Sequence, residues 1–228
     1  MDADALLRAW RRILPASVSV CAGPFLKDPP PLSPAERRSA GEVGLDRLHE
    51  LENGRHVARR ALALLGVPAA EIPVGDDRSP RWPDGIVGSI THATAEGGSY
   101  AAAAVARASD VVALGIDAEG GGGLDPRLWG RALTRGESER LLGLPPPSRP
   151  AEALALWCVK EAVLKAARRR TEPAEIEVER ASSPSDGETV WRIRLDGTAW
   201  EGRSARVGDW VLAAVAVGPG AVAARPLP

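Results

Sequence analysis

The sequence predicts an α+β protein built from two related halves packed against each other. Three observations carry this reading. Runs with apolar residues three and four apart alternate with short runs of period-two alternation, the marks of helices and strands. The stretch Gly98–Ala106 (GSYAAAAVA) is echoed 110 positions later by Gly208–Ala216 (GDWVLAAVA), a self-similarity at nearly half the chain length. The 228 residues, 44% of them hydrophobic, are enough to bury a substantial core. Division into 1–119 and 120–228 follows, with the four glycines Gly120–Gly123 as the joint.

In chain order, 4–13 reads as a short arginine-bearing helix closed by Pro15, and 18–21 as a brief strand. A proline-rich loop, 27–34, ends in Ser33-Pro34-Ala35-Glu36, a capping box with proline at the first helical position. A long helix is expected over 43–65, stopped by Gly66. Arg47 and Arg55 lie close to one of its faces, with Glu50 between them. After a loop over 76–85 carrying Arg78, Arg81 and Trp82, strands are expected at 86–92, 100–105 and 111–119. Asp125-Pro126 starts a helix, and Thr134-Arg135-Gly136-Glu137 is a second capping box. The stiff loop 145–150 leads into a helix over 151–168, and strands are expected near 175–180, 189–195 and 210–217.

Charge and cysteine usage exclude several function classes. The net charge of −1 gives no overall field for nucleic acid or an anionic membrane, so any anionic ligand must be held by a local cluster. Aromatic residues make up only 4% of the chain, which leaves few stacking platforms for bases. Cys21 and Cys158 are too far apart in sequence for a metal or redox spacing. No apolar run approaches membrane-spanning length, and Asp2, Asp4, Arg8, Arg11 and Arg12 do not suit a signal peptide. A cytoplasmic protein is the expectation.

The chemistry concentrates on two elements. Over 151–168, Leu154, Trp157, Cys158, Glu161, Leu164 and Lys165 share one helical stripe that is mostly apolar yet carries a carboxylate and an ammonium. A surface pair between Glu161 and Lys165 would explain it blandly. Yet only three of the 29 basic residues are lysines, and two of them, Lys160 and Lys165, sit in this helix. In Val111–Glu119, period-two geometry points Asp117 and Glu119 to the same side at the strand's end. An isolated Asp-x-Glu more often marks the exposed start of a loop. Two acids so close repel unless a cation lies between them, and oxygen-only ligands suit Mg²⁺ with a substrate phosphate. Glu161 supplies a third inward carboxylate. Three acids, a lysine and several arginines suit attack on a metal-bound phosphate diester or anhydride. His92, ending a strand, is open to a structural as well as a binding role.

Several segments together resemble the 4′-phosphopantetheinyl transferases of the surfactin and enterobactin type. They are Arg47 with Gly54-Arg55; Arg78-Ser79-Pro80-Arg81-Trp82-Pro83; Gly88-Ser89-Ile90-Thr91-His92; Gly115-Ile116-Asp117-Ala118-Glu119; and Trp157 through Ala166 (WCVKEAVLKA). The Gly-Ile-Asp-x-Glu element paired with the Lys-Glu-Ala-x-x-Lys helix is the specific part of the match. The resemblance implies a pseudo-symmetric pair of α/β halves with the active site at their junction. It also implies transfer of the phosphopantetheine arm of coenzyme A to a serine of an acyl or peptidyl carrier protein, releasing 3′,5′-ADP. By position, Asp117, Glu119 and Glu161 would hold Mg²⁺, Glu161 would also act as general base, and Lys165 would neutralise or protonate the leaving phosphate. His92 with Thr91, Lys160 and Lys165 would contact the phosphates of coenzyme A; Arg47, Arg55 and Arg78 would bind its 3′-phosphate and adenine end. A monomer with neither nucleic acid nor membrane as partner is expected. Two other readings stay open: a non-catalytic module binding coenzyme A or a carrier protein, and a different Mg-dependent phosphoryl or nucleotidyl transferase.

Overall fold

Local signals place most of the elements. In the computed structural model, which describes residues 1–68, 70–169, 171–184 and 187–220, helix α1 spans Ala3–Ile13 and strand β1 Ser19–Pro24. The first capping box starts α2, Pro34–Ala40, and α3 runs Leu45–Leu64, with Gly66 at φ +76° just beyond it. Strands β2 (Ile86–Ala95), β3 (Gly98–Arg107) and β4 (Ala113–Glu119) follow. The second capping box starts α5, Arg135–Leu142, after a four-residue α4, Trp129–Ala132. Helix α6 covers Arg149–Ala167, and β5 (Glu177–Ser182), β6 (Glu188–Leu195), β7 (Thr198–Val207) and β8 (Trp210–Val217) close the described chain.

The strands form two antiparallel sheets, ordered β1-β3-β2 and β4-β8-β7-β6-β5. The protein is therefore α+β with two sheets, as expected. The two echoed segments are equivalent strands: β3 returns from the β2 hairpin as β8 returns from the β7 hairpin. β4 lies within 1–119 and pairs with β8, so the change of sheet falls across 108–112, ahead of the glycine run 120–123. The end of the expected second half, 221–228, lies outside the described residues.

Strand alternation sorts the core into three clusters. Ala101, Ala103 and Val105 of β3 face α3, while Val211, Ala213 and Val215 of β8 face α6. The opposite faces, Tyr100 to Ala106 and Trp210 to Ala214 in alternation, meet Leu114 and Ile116 of β4 and the apolar side of α1 in a shared middle cluster. There the Trp10 indole donates to the Tyr100 hydroxyl at 3.1 Å, so both buried polar groups are satisfied.

Each half also carries the same buried clamp. Glu36, 1% exposed, accepts from Ser33 N through Oε2 and from Ile72 N through Oε1, and pairs with Arg59 of α3. Glu137, also 1% exposed, accepts from Thr134 N through Oε2 and from Val178 N through Oε1, and pairs with Lys160 of α6 at 2.5 Å. Both the acids (36 and 137) and their cations (59 and 160) stand 101 positions apart. The capping boxes thus do more than start short helices: each carboxylate ties a cap, a long helix and the segment beyond it.

Helix α6 packs directly on β4, and Gly115 permits it. A Cβ at Gly115 would lie 1.9 Å from the Ala162 carbonyl oxygen and 2.6 Å from the Ala166 nitrogen. Gly115→Ala is expected to lower the melting temperature by roughly 10 °C, an overpacking penalty of about 3 kcal/mol. Gly130→Ala, which meets open space, should leave the melt unchanged in the same calorimetric comparison. Lys160→Ala would strand the buried Glu137 carboxylate and should destabilise by about 3–5 kcal/mol in denaturant unfolding.

Candidate active site

The close contact at Gly115 brings two rows of side chains together. On β4, Asp117 and Glu119 point the same way from alternate positions. On α6, Trp157, Glu161 and Lys165 recur every four residues and so stand one above another. Lys165 Nζ donates to Asp117 Oδ1 at 2.7 Å, and the Trp157 indole donates to Glu119 Oε1 at 3.1 Å. Glu161 lies between these two contacts on the helix and feels the Asp117 and Lys165 charges.

The acids share one strained electrostatic environment. Burial, then the Asp117 charge, pushes Glu119 up to about 7, against the Trp157 N–H that favours its ionised form. Glu161 is raised by the same two causes in the same order. Burial works against the Lys165 ammonium, but Asp117 overrides it and holds the lysine above its ordinary value. Asp117, 5% exposed, takes Thr91 Oγ1 at 3.0 Å and Lys165 on Oδ1, while its buried Oδ2 has no hydrogen-bond partner among the described residues. The neighbouring Cys158 thiol donates to the Val211 carbonyl at 3.6 Å and also lies against Asp117; burial above all, with the charges of Asp117 and Glu119, keeps it un-ionised.

A cavity of about 890 Å³ opens beside this cluster. Arg47 and Arg55 of α3, Arg78 and Arg81 of the preceding loop, His92 of β2, and Lys165 and Arg168 of α6 all border it. Arg55 donates from Nε to the Ile72 carbonyl at 2.6 Å; burial lowers it to about 10, still charged at neutral pH. Arg47 donates to His92 Nε2 at 3.2 Å and to Glu50 Oε2 at 2.8 Å. Burial above all lowers the His92 pKa, so its ring is neutral at pH 7 and Nε2 accepts. Arg78 sits at φ +66° in a tight turn whose Asp77 accepts from Ser79 N and Oγ. So many cations around one cavity suit a polyanion.

Of the residues singled out by sequence, Asp117, Glu119, Glu161 and Lys165 come together, and Arg47, Arg55, Arg78, Thr91 and His92 border the cavity. Lys160 does not join them. It is 0% exposed, donates to Ala132 O at 2.9 Å and to Glu137, and belongs to the buried clamp; helical spacing turns it away from the stripe that carries Glu161 and Lys165. The Thr91 hydroxyl, at the edge of the cavity, donates to Asp117 Oδ1 and accepts from Ala118 N. Sequence reasoning missed Arg168, a left-handed helix cap (φ +52°) bordering the cavity, and the indole bond from Trp157, which only its place on the stripe foreshadowed.

Among the described residues no three His, Cys, Asp or Glu side chains already form a metal-ligating group. The donors nevertheless fit a hard divalent cation. They are all carboxylate oxygens, the Asp117 charge raises the pKa of both Glu119 and Glu161, and Oδ2 of Asp117 is a buried acceptor with no hydrogen-bond partner among the described residues. The Lys165 ammonium meets the other oxygen, Oδ1.

Two family models cover most of the chain: the 4′-phosphopantetheinyl transferase N-terminal domain over residues 36–106 and the 4′-phosphopantetheinyl transferase superfamily over 113–215. The chain is 37% identical over 200 residues to 4′-phosphopantetheinyl transferase Svp of Streptomyces mobaraensis, covering 82% of this chain and 78% of the relative. It is 35% identical over 201 residues to 4′-phosphopantetheinyl transferase PptT of Mycobacterium tuberculosis, covering 83% and 86%. The crystal structure of Thermotoga maritima holo-[acyl-carrier-protein] synthase overlaps 46% of this chain and 62% of its own, with a TM-score of 0.35 and 18% identity. With sequence likeness running through both sheets and through the acid cluster, the chain belongs to the 4′-phosphopantetheinyl transferase superfamily and is a transferase enzyme.

Proposed function

We propose that the enzyme transfers the 4′-phosphopantetheine group of coenzyme A to a serine of an apo acyl or peptidyl carrier protein, with Mg²⁺, and releases 3′,5′-ADP. The observation that carries this reading is the meeting of Asp117, Glu119, Glu161 and Lys165 at the edge of a cavity bordered by arginines. Arg47, Arg55 and Arg78 would hold the 3′-phosphate and adenine end, with His92 on a phosphate. Asp117, Glu119 and Glu161 would hold Mg²⁺, whose charge would offset that of the pyrophosphate. Glu161, made more basic by burial and Asp117, would take the serine proton directly or through a water. The serine oxygen bonds to the pantetheine-bearing phosphorus as that phosphorus loses its bridging oxygen to 3′,5′-ADP. Lys165, paired with Asp117 beside the cavity, would neutralise or protonate that oxygen.

Incubation with coenzyme A, Mg²⁺ and an apo carrier protein, read by intact-mass spectrometry, should show the carrier gaining one phosphopantetheine; chelation should abolish the gain. Coenzyme A binding without any gain would sink the proposal. Asp117→Ala and Glu161→Ala should fold normally yet lose at least about 100-fold in kcat/KM, the scale of a lost general base or charge partner. Lys165→Ala should lose mainly kcat, whereas a change confined to KM would make it a binding residue.

Stability should report the Glu119 environment. Its folded pKa, about 7, lies above the ordinary 4.5, so the native state holds this proton more tightly than the unfolded chain. That contribution is complete below 4.5 and is lost as pH rises through 7. Glu119→Gln cannot ionise, so the metal-free variant should melt several degrees above wild type at pH 8 and match it near pH 4. Added Mg²⁺ should raise the wild-type melt and leave the variant's unchanged.

A further inference from the structure

The two sheets meet along β2 and β4, which are joined by side chains rather than by a ladder. Ile116 N donates to Ser89 Oγ at 3.1 Å, and Ala118 N donates to Thr91 Oγ1 at 3.2 Å. Both hydroxyls stand on one face of β2, two residues apart, and each replaces a carbonyl that a regular neighbouring strand would present. Thr91 does something that Ser89 does not. Its oxygen already accepts from Ala118 N, and it donates its proton to Asp117 Oδ1 at 3.0 Å.

We infer that Thr91 is a positioning residue: its hydroxyl, held by one sheet, orients the Asp117 carboxylate of the other for a divalent cation. The inference rests on the metal reading above. Thr91 and Lys165 converge on the same oxygen, Oδ1, from opposite elements, β2 and α6. Two donors on one oxygen fix the rotation of the carboxylate, and Oδ2 is left buried with no hydrogen-bond partner among the described residues. The free oxygen is thereby the one presented. Thr91 is itself 2% exposed, and its branched Cβ restricts the side-chain torsion, so the hydroxyl is held in place before any ligand arrives. A carboxylate oriented through such a partner gains metal affinity, and removing the partner typically weakens binding about 10–100-fold. Because the partner sits across the joint, metal affinity also depends on the register of the two sheets.

Thr91→Val keeps the side-chain shape and removes only the hydroxyl; Thr91→Ser restores it. Ser89→Ala removes the equivalent splice to Ile116 without touching Asp117. Each protein is titrated with Mn²⁺ alone by electron paramagnetic resonance, and the Mg²⁺ concentration for half-maximal transfer and the KM for coenzyme A are measured alongside. Thr91→Val should bind Mn²⁺ at least about 10-fold more weakly and need correspondingly more Mg²⁺, at an unchanged coenzyme A KM. Thr91→Ser should return to the wild-type affinity, and Ser89→Ala should lower the melting temperature while keeping Mn²⁺ affinity. Wild-type Mn²⁺ affinity in a folded Thr91→Val, with a raised coenzyme A KM, would overturn the inference and make Thr91 a ligand contact. Equal weakening in Ser89→Ala would overturn it too, since the effect would then belong to the joint as a whole. A wild-type chain that binds no Mn²⁺ would instead overturn the metal reading, and this inference with it.

Discussion

A missing side chain at Gly115 sets the geometry of the whole site. The helix that carries Trp157, Glu161 and Lys165 lies so close to β4 that even a methyl group would overlap its backbone. Held there, long side chains four residues apart on the helix reach carboxylates two residues apart on the strand. An outward shift of an ångström or two would stretch the 2.7 Å Lys165–Asp117 contact and the 3.1 Å Trp157–Glu119 contact beyond hydrogen-bonding range. The charges would then remain buried with nothing to offset them.

The paired clamps explain how α3 and α6 are held while one of them works. Glu36 and Glu137 each accept from a cap residue, from a strand or loop beyond the long helix, and from that helix's own cation. A buried carboxylate with three such partners resists displacement, because losing any one leaves an unpaired charge. In α6 the cation of the clamp, Lys160, adjoins Glu161 in sequence but points away from it. One lysine secures the helix to its half, and the next, Lys165, faces the acids. Neighbouring positions on a helix serve opposite duties because about 100° separates their side chains.

Several elements were legible from local pattern. Ser33-Pro34-Ala35-Glu36 and Thr134-Arg135-Gly136-Glu137 cap helices where expected, and the long helices α3 and α6 agree with expectation to within a few residues. Strand β7 was not foreseen. Arginines, Glu201 and Gly202 interrupt its apolar residues, although Asp196-Gly197 (φ +49° and +75°) is the turn that joins it to β6. At Gly202 a Cβ would approach Ile193 Cδ1 to 2.8 Å, a cross-strand neighbour that no local window contains. Where the chain passes from one sheet to the other is likewise outside any local window. Four glycines look like a linker, but strand pairing assigns β4 to β8, and pairing is a long-range choice.

The sequence by itself determined which groups share a face: Asp117 with Glu119 by the period of a strand, and Trp157 with Glu161 and Lys165 by the turn of a helix. It also determined where the capped helices begin, since a cap is read within four residues. Tertiary structure alone decided that Lys160 is buried against Glu137, that the Thr91 hydroxyl holds Asp117 at the edge of the cavity, and that Arg168 borders it. Periodicity is a property of one segment. A partner is a property of two surfaces, brought together here across 23 to 48 positions of chain by burial, close packing and the need to satisfy buried charge.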